Sequence, residues 1–290
     1  MGAECEGFGA AWSRTVRQCC ILLQLAHAPI PERLVRGFVI VPAVTAVFVH
    51  GNPETAAVWS PLLAELARDD VVTLSPPGFG APVPDGFGAT TDEYVAWLAA
   101  ELESVGEPVD LVGHDWGAMF TMRLACQRPD LLRSWCVDIA GTFAHDFVWH
   151  EASLAWQTPG EGEAAVAGWL AMGVAGLAGL YESLGITPPV AKELAEAFDE
   201  TMGRCILAVF RSAGQSVLAQ WSQQLPAASV RPGLVVFCTE DFWSGGEARH
   251  RWVAEQTGAH FTVLEGLGHW WMVEDPAAGA NLLQQFWDGL

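Results

Sequence analysis

The chain has 290 residues, 51% of them apolar, which suffices for one large core with an insert or for two small domains. Its formal charge is −20, and Lys192 is the single lysine among 14 basic residues. Such a charge repels phosphate backbones and anionic lipid surfaces. We therefore expect neither nucleic acid nor a membrane as a partner.

The cysteines are odd in number, scattered, and without the paired spacing of metal ligands, which favours a reducing cytoplasm and predicts no metal site or cofactor. An apolar segment at 19–28 is too short and too interrupted for a signal peptide. No run approaches the ~18 apolar residues that cross a bilayer. We expect residues 1–36 to form an N-terminal appendage, with a helix at 15–26.

From residue 44 onward, short β-branched runs alternate with helical patterns, which predicts a mostly parallel sheet covered by helices on both faces. The predicted strands are 44–49, 71–74, 109–112, 134–137, 233–238 and 261–264. The predicted helices are 61–68, 91–103, 118–127, 246–256 and 276–290. Thr90 and Glu93 have the spacing of a capping box at the start of the second helix.

Between residue 141 and about residue 230 the alternation stops, and the sequence has only helical patterns. This predicts a helical cap, residues 143–230, inserted into a core formed by residues 37–142 and 231–290. The two core segments belong together because neither has enough strands to fold alone.

The sequence Gly113-His114-Asp115-Trp116-Gly117 follows a predicted strand and precedes a predicted helix. This is the context of a nucleophile held on a sharp strand-to-helix turn, where glycines allow strand and helix to approach closely. The pattern predicts Asp115 as a nucleophile. The alternative is that Asp115 caps the helix.

An aspartate nucleophile selects the chemistry. A serine oxygen that attacks an alkyl carbon would give an ether, which water does not cleave. A carboxylate that attacks the same carbon gives an ester, which water opens at the aspartyl carbonyl in a second step. An ordinary pKa near ~3.9 would leave Asp115 ionised at neutral pH, helped by the helix N-terminus behind it.

His269 follows the last predicted strand and is the candidate general base for the water of the second step. Two carboxylates at strand ends could orient it. Asp241 follows the strand after the cap and is favoured, and Asp138 is the alternative. We interpret His114, beside the nucleophile, as a packing residue.

The sequence His50-Gly51-Asn52-Pro53-Glu54 follows the first predicted strand. A backbone N–H of this loop, with that of Trp116, is expected to stabilise the oxyanion during ester hydrolysis. Asn52 and Trp116 also carry side-chain N–H donors that could stabilise a departing anion. The alternative for Asn52 is a turn residue before Pro53.

Together these motifs resemble the epoxide hydrolase and haloalkane dehalogenase branch of the α/β hydrolases, over about residues 44–290. The resemblance implies the α/β-hydrolase fold. It rests on four separated motifs in the family's order: His50-Gly51-x-Pro53, Gly113-x-Asp115-Trp116-Gly117, Asp241 and Gly268-His269-Trp270. In two respects the chain departs from the family: no strand hairpin is evident before Phe38, and the cap is only loosely similar.

The resemblance also bears on the leaving group. Epoxide hydrolases use two cap tyrosines as acids, one before a Gln-x-Pro-Gly segment and one in a Tyr-Arg-like pair. Here the segment at 157–160 has no tyrosine in the stretch before it, and the later pair reads Phe210-Arg211. Tyr181 is the sole candidate acid, because Tyr94 belongs to a helix that flanks the core.

Haloalkane dehalogenases hold the halide with the Trp after the nucleophile and, in some subgroups, an Asn after His-Gly, which correspond here to Trp116 and Asn52. The sequence therefore favours dehalogenation slightly over epoxide opening. The partners expected are a small apolar organic substrate and water, with a homodimer left open. Carbonyl chemistry and a non-catalytic binding protein of the same fold are the remaining alternatives.

An apolar substrate would suit a cleft lined by aromatic side chains. The candidates are Trp149, Trp156, Phe210, Phe242 and Trp270. The alternative for each of them is an ordinary place in the core.

Overall fold

The computed structural model describes residues 44–290, and the predicted N-terminal appendage and helix at 15–26 lie outside them. Within the described residues, six strands form one sheet in which every neighbouring pair is parallel. The strands are β1 (Ala46–Val49), β2 (Val71–Leu74), β3 (Val109–Gly113), β4 (Leu132–Val137), β5 (Gly233–Cys238) and β6 (His260–Leu264). The six predicted strands are confirmed, with bounds that move by at most two residues.

The strand order β2-β1-β3-β4-β5-β6 places β1 between β2 and β3. The chain leaves β1 towards β2 and leaves β3 towards β4, which lie in opposite directions along the sheet. The loops after β1 and β3 therefore diverge at the carboxyl edge of the sheet. Such a reversal opens a crevice that is the usual ligand site of an open α/β sheet. Val49 pairs with Gly113, so both loops begin at the same level.

Helices cover both faces of the sheet, and every residue of β1, β3 and β5 is buried. The helices outside the segment between β4 and β5 are α1 (Ser60–Glu65), α2 (Thr91–Val105), α3 (Trp116–Gln127), α9 (Glu247–Thr257), α10 (Trp271–Glu274) and α11 (Pro276–Asp288). The predicted capping box is confirmed, because the Thr90 side chain accepts from the backbone N–H of Glu93 and the Glu93 carboxylate accepts from that of Thr90.

Between β4 and β5 the described chain contains helices and 3-10 turns but no strand. The helices are α4 (Glu151–Gln157), α5 (Glu161–Ser183), α6 (Pro188–Ala197), α7 (Glu200–Ser212) and α8 (Gln215–Ser222). We call this segment the helical insertion. It supplies one wall of the cavity described below.

Helix α5 differs from what the sequence predicted. It is long enough and apolar enough to cross a membrane by length and composition, whereas we expected no such segment. Only 11% of its most apolar stretch is buried, and Gly173 interrupts the helical backbone at φ 63° and ψ 174°. The helix is thus an exposed apolar element with a kink near its middle.

Candidate active site

The backbone of Asp115 is strained. It lies between β3 and α3 with φ 49° and ψ −124°, a region that non-glycine residues rarely adopt. A Cβ on Gly113 would lie 2.5 Å from the carbonyl oxygen of Gly117, and a Cβ on Gly117 would lie 2.3 Å from that of Val49. Both glycines are therefore required for the tight turn, as the sequence predicted.

The Asp115 carboxylate points towards the loop after β1 and towards His269. Its Oδ1 accepts a hydrogen bond from the backbone N–H of Asn52 at 2.9 Å, and its Oδ2 lies 3.7 Å from Nε2 of His269. A Cβ on Gly51 would lie 2.1 Å from Oδ1, so only glycine allows this approach. The side chain makes no helix-capping hydrogen bond.

His269 lies between two carboxylates. Its Nδ1 is 2.9 Å from Oδ2 of Asp241, on the side opposite Asp115. Asp138, the alternative partner from the sequence, instead contacts His114. The structure thus brings Asp115, His269 and Asp241 together in the order carboxylate, imidazole, carboxylate.

Burial and charge shift the ionisation of these three groups. Burial raises the pKa of Asp115 to about 6, although the charge of His269 acts to lower it. This differs from the ordinary value that we expected, and it leaves the group mostly ionised only above about pH 6. Burial alone would lower the pKa of His269, but the charge and hydrogen bond of Asp241 outweigh it and raise that pKa. The same contact outweighs burial at Asp241 and lowers its pKa.

A second cluster of ionisable groups lies next to these residues. Nδ1 of His114 is 2.5 Å from Oδ2 of Asp138, and its Nε2 is 3.0 Å from Oε1 of Glu54. The indole N–H of Trp270 donates to Glu54 at 2.6 Å, and that of Trp271 donates to Asp138 at 2.8 Å. Glu54, His114 and Asp138, which we call the buried trio, are nearly or completely inaccessible to solvent.

The buried trio must share its protons in a defined way. Each nitrogen of His114 faces a carboxylate oxygen, so two protons occupy the two hydrogen bonds and the trio carries one net negative charge. Although burial opposes each ionisation, the charges of the partners lower the pKa of Glu54 to about 2 and raise that of His114 well above 6.5. His114 also has no lone pair left for a metal ion. His114 is buried and packs against Trp59, as the packing interpretation implied, but the two carboxylates that hold it were not foreseen.

The buried trio also holds backbone at the site. Glu54 accepts from the N–H of Gly51 at 3.2 Å, and Asp138 accepts from the N–H of Asp115 at 3.2 Å. The ring of His114 lies 4.7 Å from that of His269, measured between centroids. The trio therefore connects the loops that carry Asp115, Asn52 and His269. Nothing in the local sequence pattern indicated the contribution of Glu54.

A cavity of about 180 Å³ lies over Asp115 and His269, between the sheet edge and the helical insertion. This is smaller than the roughly 300–1,000 Å³ of sites for drug-sized ligands. It is lined by Asn52, Pro53, Asp115, His150, Ala152, Trp156, Trp169, Leu184, Ile206, Phe210, Trp243, His269 and Trp270. Most of the lining is apolar, so the cavity fits a small, uncharged substrate.

Residues 46–282 match the profile of the alpha/beta hydrolase family, which is most of the chain. The chain belongs to the alpha/beta hydrolase family. The fold class predicted from the motifs is therefore confirmed.

This alpha/beta hydrolase is similar in sequence to a haloalkane dehalogenase of Bradyrhizobium diazoefficiens, with 29% identity over 43% of this chain and 46% of the relative. It is also similar to epoxide hydrolase 2 of Siraitia grosvenorii, with 35% identity over 32% of this chain and 30% of the relative. The matching part covers less than half the length of either relative.

A solved structure of epoxide hydrolase A from Mycobacterium thermoresistibile superposes on this alpha/beta hydrolase with a TM-score of 0.69. The superposition covers 86% of this chain and 92% of the other, at 18% sequence identity. At that identity the likeness shows a shared fold and carries no statement about the reaction.

The two predicted side-chain donors of this alpha/beta hydrolase, Asn52 and Trp116, differ in their position relative to the cavity. Asn52 lines the cavity, and its Nδ2 is buried without a hydrogen-bond partner among residues 44–290. The Trp116 ring is 3% exposed, packs against Trp149 and Phe210, and is not among the cavity-lining residues. Of the two side chains, only that of Asn52 lines the cavity.

Tyr181 lies outside the cavity of the alpha/beta hydrolase. It is 1% exposed, and its hydroxyl donates to the carbonyl oxygen of Pro53 at 2.7 Å. Burial raises the pKa of this hydroxyl further above its usual value. The structure thus does not bring the predicted proton donor to the carboxylate of Asp115.

The aromatic lining differs in part from the prediction. Trp156, Phe210 and Trp270 line the cavity as expected. Trp149 packs behind Phe210 and donates its indole N–H to Ala213, and the side chain of Phe242 is 82% exposed. The prediction was therefore wrong for Trp149 and Phe242. Two lining residues, Trp169 and Trp243, were missed.

Proposed function

We propose that this protein hydrolyses the carbon–halogen bond of a small apolar substrate through an ester on Asp115. The observation that carries the proposal is Asn52, which lines the cavity together with Asp115 and whose side-chain Nδ2 is a buried donor without a partner among residues 44–290. Buried donors normally have an acceptor, and one that lacks it in the wall of an apolar cavity is suited to an anion formed there.

In the first step, Oδ2 of Asp115 attacks the carbon that bears the halogen. A carbon–oxygen bond forms while the carbon–halogen bond breaks, and the halide leaves with the bonding electron pair. Oδ1 is the oxygen already held by the backbone N–H of Asn52, which leaves Oδ2 free to react. The Asn52 side chain donates to the departing halide, and no proton is needed.

In the second step, His269 takes a proton from water, and the resulting hydroxide attacks the carbonyl carbon of the Asp115 ester. The backbone N–H of Asn52 stabilises the negative charge that develops on Oδ1. The bond to the alkoxy oxygen then breaks, and the alcohol leaves with the proton from His269. Asp115 is regenerated as the neutral acid and releases its proton to solvent, so the net products are the alcohol, the halide and one proton. Asp241, at 2.9 Å, stabilises the imidazolium between these events.

Epoxide opening is the second candidate, because one of the relatives described above is named an epoxide hydrolase. This reaction needs a proton donor for the alkoxide. Tyr181 is hydrogen-bonded away from the cavity. His150 is the one titratable cavity residue on the helical insertion, but burial lowers its pKa and its Nδ1 accepts from the N–H of Ser153. His150 is thus mostly unprotonated at neutral pH, which favours an alkyl halide over an epoxide as the substrate.

The test is to incubate the purified protein with 1-bromobutane and with styrene oxide, and to measure bromide and diol. We expect bromide release, none by Asp115→Asn, and a roughly 10- to 1,000-fold slower release by Asn52→Ala. Formation of diol without release of bromide would indicate epoxide opening instead. Neither product would indicate a non-catalytic binding protein of this fold.

A further inference from the structure

The cavity opens to solvent at a mouth that can be defined by three residues. Trp243, Leu184 and Ala152 line the cavity and are also exposed. Trp243 comes from the loop after β5, whereas Ala152 and Leu184 come from the helical insertion. The mouth therefore lies between the sheet edge and the insertion, and Trp243 is the one aromatic side chain among the three.

The indole ring of Trp243 extends from the reacting groups to the solvent. It packs edge-on against His269, with centroids 5.1 Å apart at 84°, and against Trp270 at 5.8 Å and 70°. About a third of the side chain is exposed. The ring is thus a wall that separates His269 from the mouth.

The backbone of Trp243 has a separate role from its ring. Its N–H donates to Oδ1 of Asp241 at 2.9 Å. A substitution of the side chain keeps this N–H, so the contact that positions Asp241 remains. The neighbouring Phe242 is 82% exposed and does not line the cavity, which makes it a matched control from the same loop.

We propose that Trp243 sets the width of substrate that reaches Asp115, by filling the mouth of the cavity next to His269. The identity of the substrate as an alkyl halide rests on the proposed function, but the place of the ring does not. One methylene in an apolar pocket changes discrimination by roughly 10- to 200-fold, so loss of a whole indole ring should be readily measurable.

The kinetic test compares bromide release from 1-bromobutane, a narrow substrate, and from bromocyclohexane, a wide one. The readout is the ratio of kcat/KM for the wide substrate to that for the narrow one. We expect Trp243→Ala to raise this ratio at least about tenfold, Trp243→Phe to raise it less, and Phe242→Ala to leave it unchanged. A ratio within twofold of wild type for Trp243→Ala would overturn the proposal.

A binding test keeps the outcome independent of the reaction. Dissociation constants for 1-butanol and cyclohexanol are measured by ligand-observed NMR on the same variants. We expect the preference of Trp243→Ala to move about tenfold towards cyclohexanol, with no change for Phe242→Ala. If the wild type releases no bromide, the proposed function fails while this measurement still tests Trp243. Equal preferences in all variants would refute the assignment of the ring.

Discussion

The buried trio leads to a strong prediction about stability. His114→Leu removes both hydrogen bonds of the imidazole and leaves the carboxylates of Glu54 and Asp138 without their cation. Removal of one partner from a buried ion pair typically destabilises a protein by about 3–5 kcal/mol, because the remaining charge stays desolvated. With roughly 2–4 °C per kcal/mol for a large domain, Tm should fall by about 6–20 °C near neutral pH.

The fall in Tm caused by His114→Leu should become smaller as the pH is lowered. In the wild type, the pKa of Glu54 is lowered from 4.5 to about 2. The stability that ionised Glu54 contributes is therefore complete above about pH 4.5 and is lost as the pH falls towards 2. In the variant, the charge and hydrogen bond of His114 no longer oppose the effect of burial on Glu54, so the pKa of Glu54 rises. The folded variant then binds extra protons on acidification, which restores part of its stability.

The assay is thermal unfolding near pH 7.5 and near pH 5, followed by circular dichroism. His260→Leu is the matched control, because His260 is exposed on β6 and its loss should change stability by no more than about 0.5 kcal/mol. The reasoning about the trio is refuted if His114→Leu resembles this control, or if its deficit in Tm is the same at both pH values.

Four further predictions concern the proposed reaction. His269→Gln should stall at the ester, so that intact mass after substrate shows an adduct on Asp115; free enzyme recovered at the wild-type rate would contradict the assigned base. Single-turnover alkylation should fall as the pH drops through about 6, where Asp115 takes up a proton, and a flat profile would count against Asp115 as the nucleophile. Asp241→Asn should slow ester hydrolysis by up to about 10⁴-fold, whereas Asp138→Asn should chiefly lower Tm; the reverse pattern would exchange their roles. Tyr181→Phe should change bromide release by less than threefold, and a severe loss would indicate a proton donor after all.

The positions of Asp115, His269 and Asp241 could be predicted because each follows a strand. The carboxyl ends of parallel strands meet at one edge, so residues far apart in sequence are brought together once the strands are identified. The glycines around Asp115 were equally informative, because a sharp turn imposes a strict limit on side-chain size. The same reasoning from strand ends also proposed Asp138, but it could not tell which histidine each of the two carboxylates contacts.

The remaining contacts depend on features that strand patterns do not contain. His114 meets Asp138 because β3 and β4 pair with Gly113 opposite Val137, a register that the separate strand patterns leave open. Whether Phe242 or Trp243 lines the cavity depends on the conformation of the loop after β5, which the strand patterns do not contain. The pKa of Asp115 departs from its ordinary value because burial outweighs the charge of His269, and both depend on the tertiary structure.

The strained backbone of Asp115 has a consequence for how this protein would respond to selection for stability. A positive φ at a non-glycine residue typically costs about 1–3 kcal/mol. Burial of the Asp115 carboxylate adds to this cost. Because its pKa is raised from 3.8 to about 6, the folded state loses stability as the pH rises towards 6 and the carboxylate ionises. Asp115→Gly should therefore melt at a higher temperature than the wild type. A library screened for heat resistance alone would enrich variants that have lost this carboxylate. Under the proposed mechanism these variants are inactive, so thermal resistance and turnover have to be selected together.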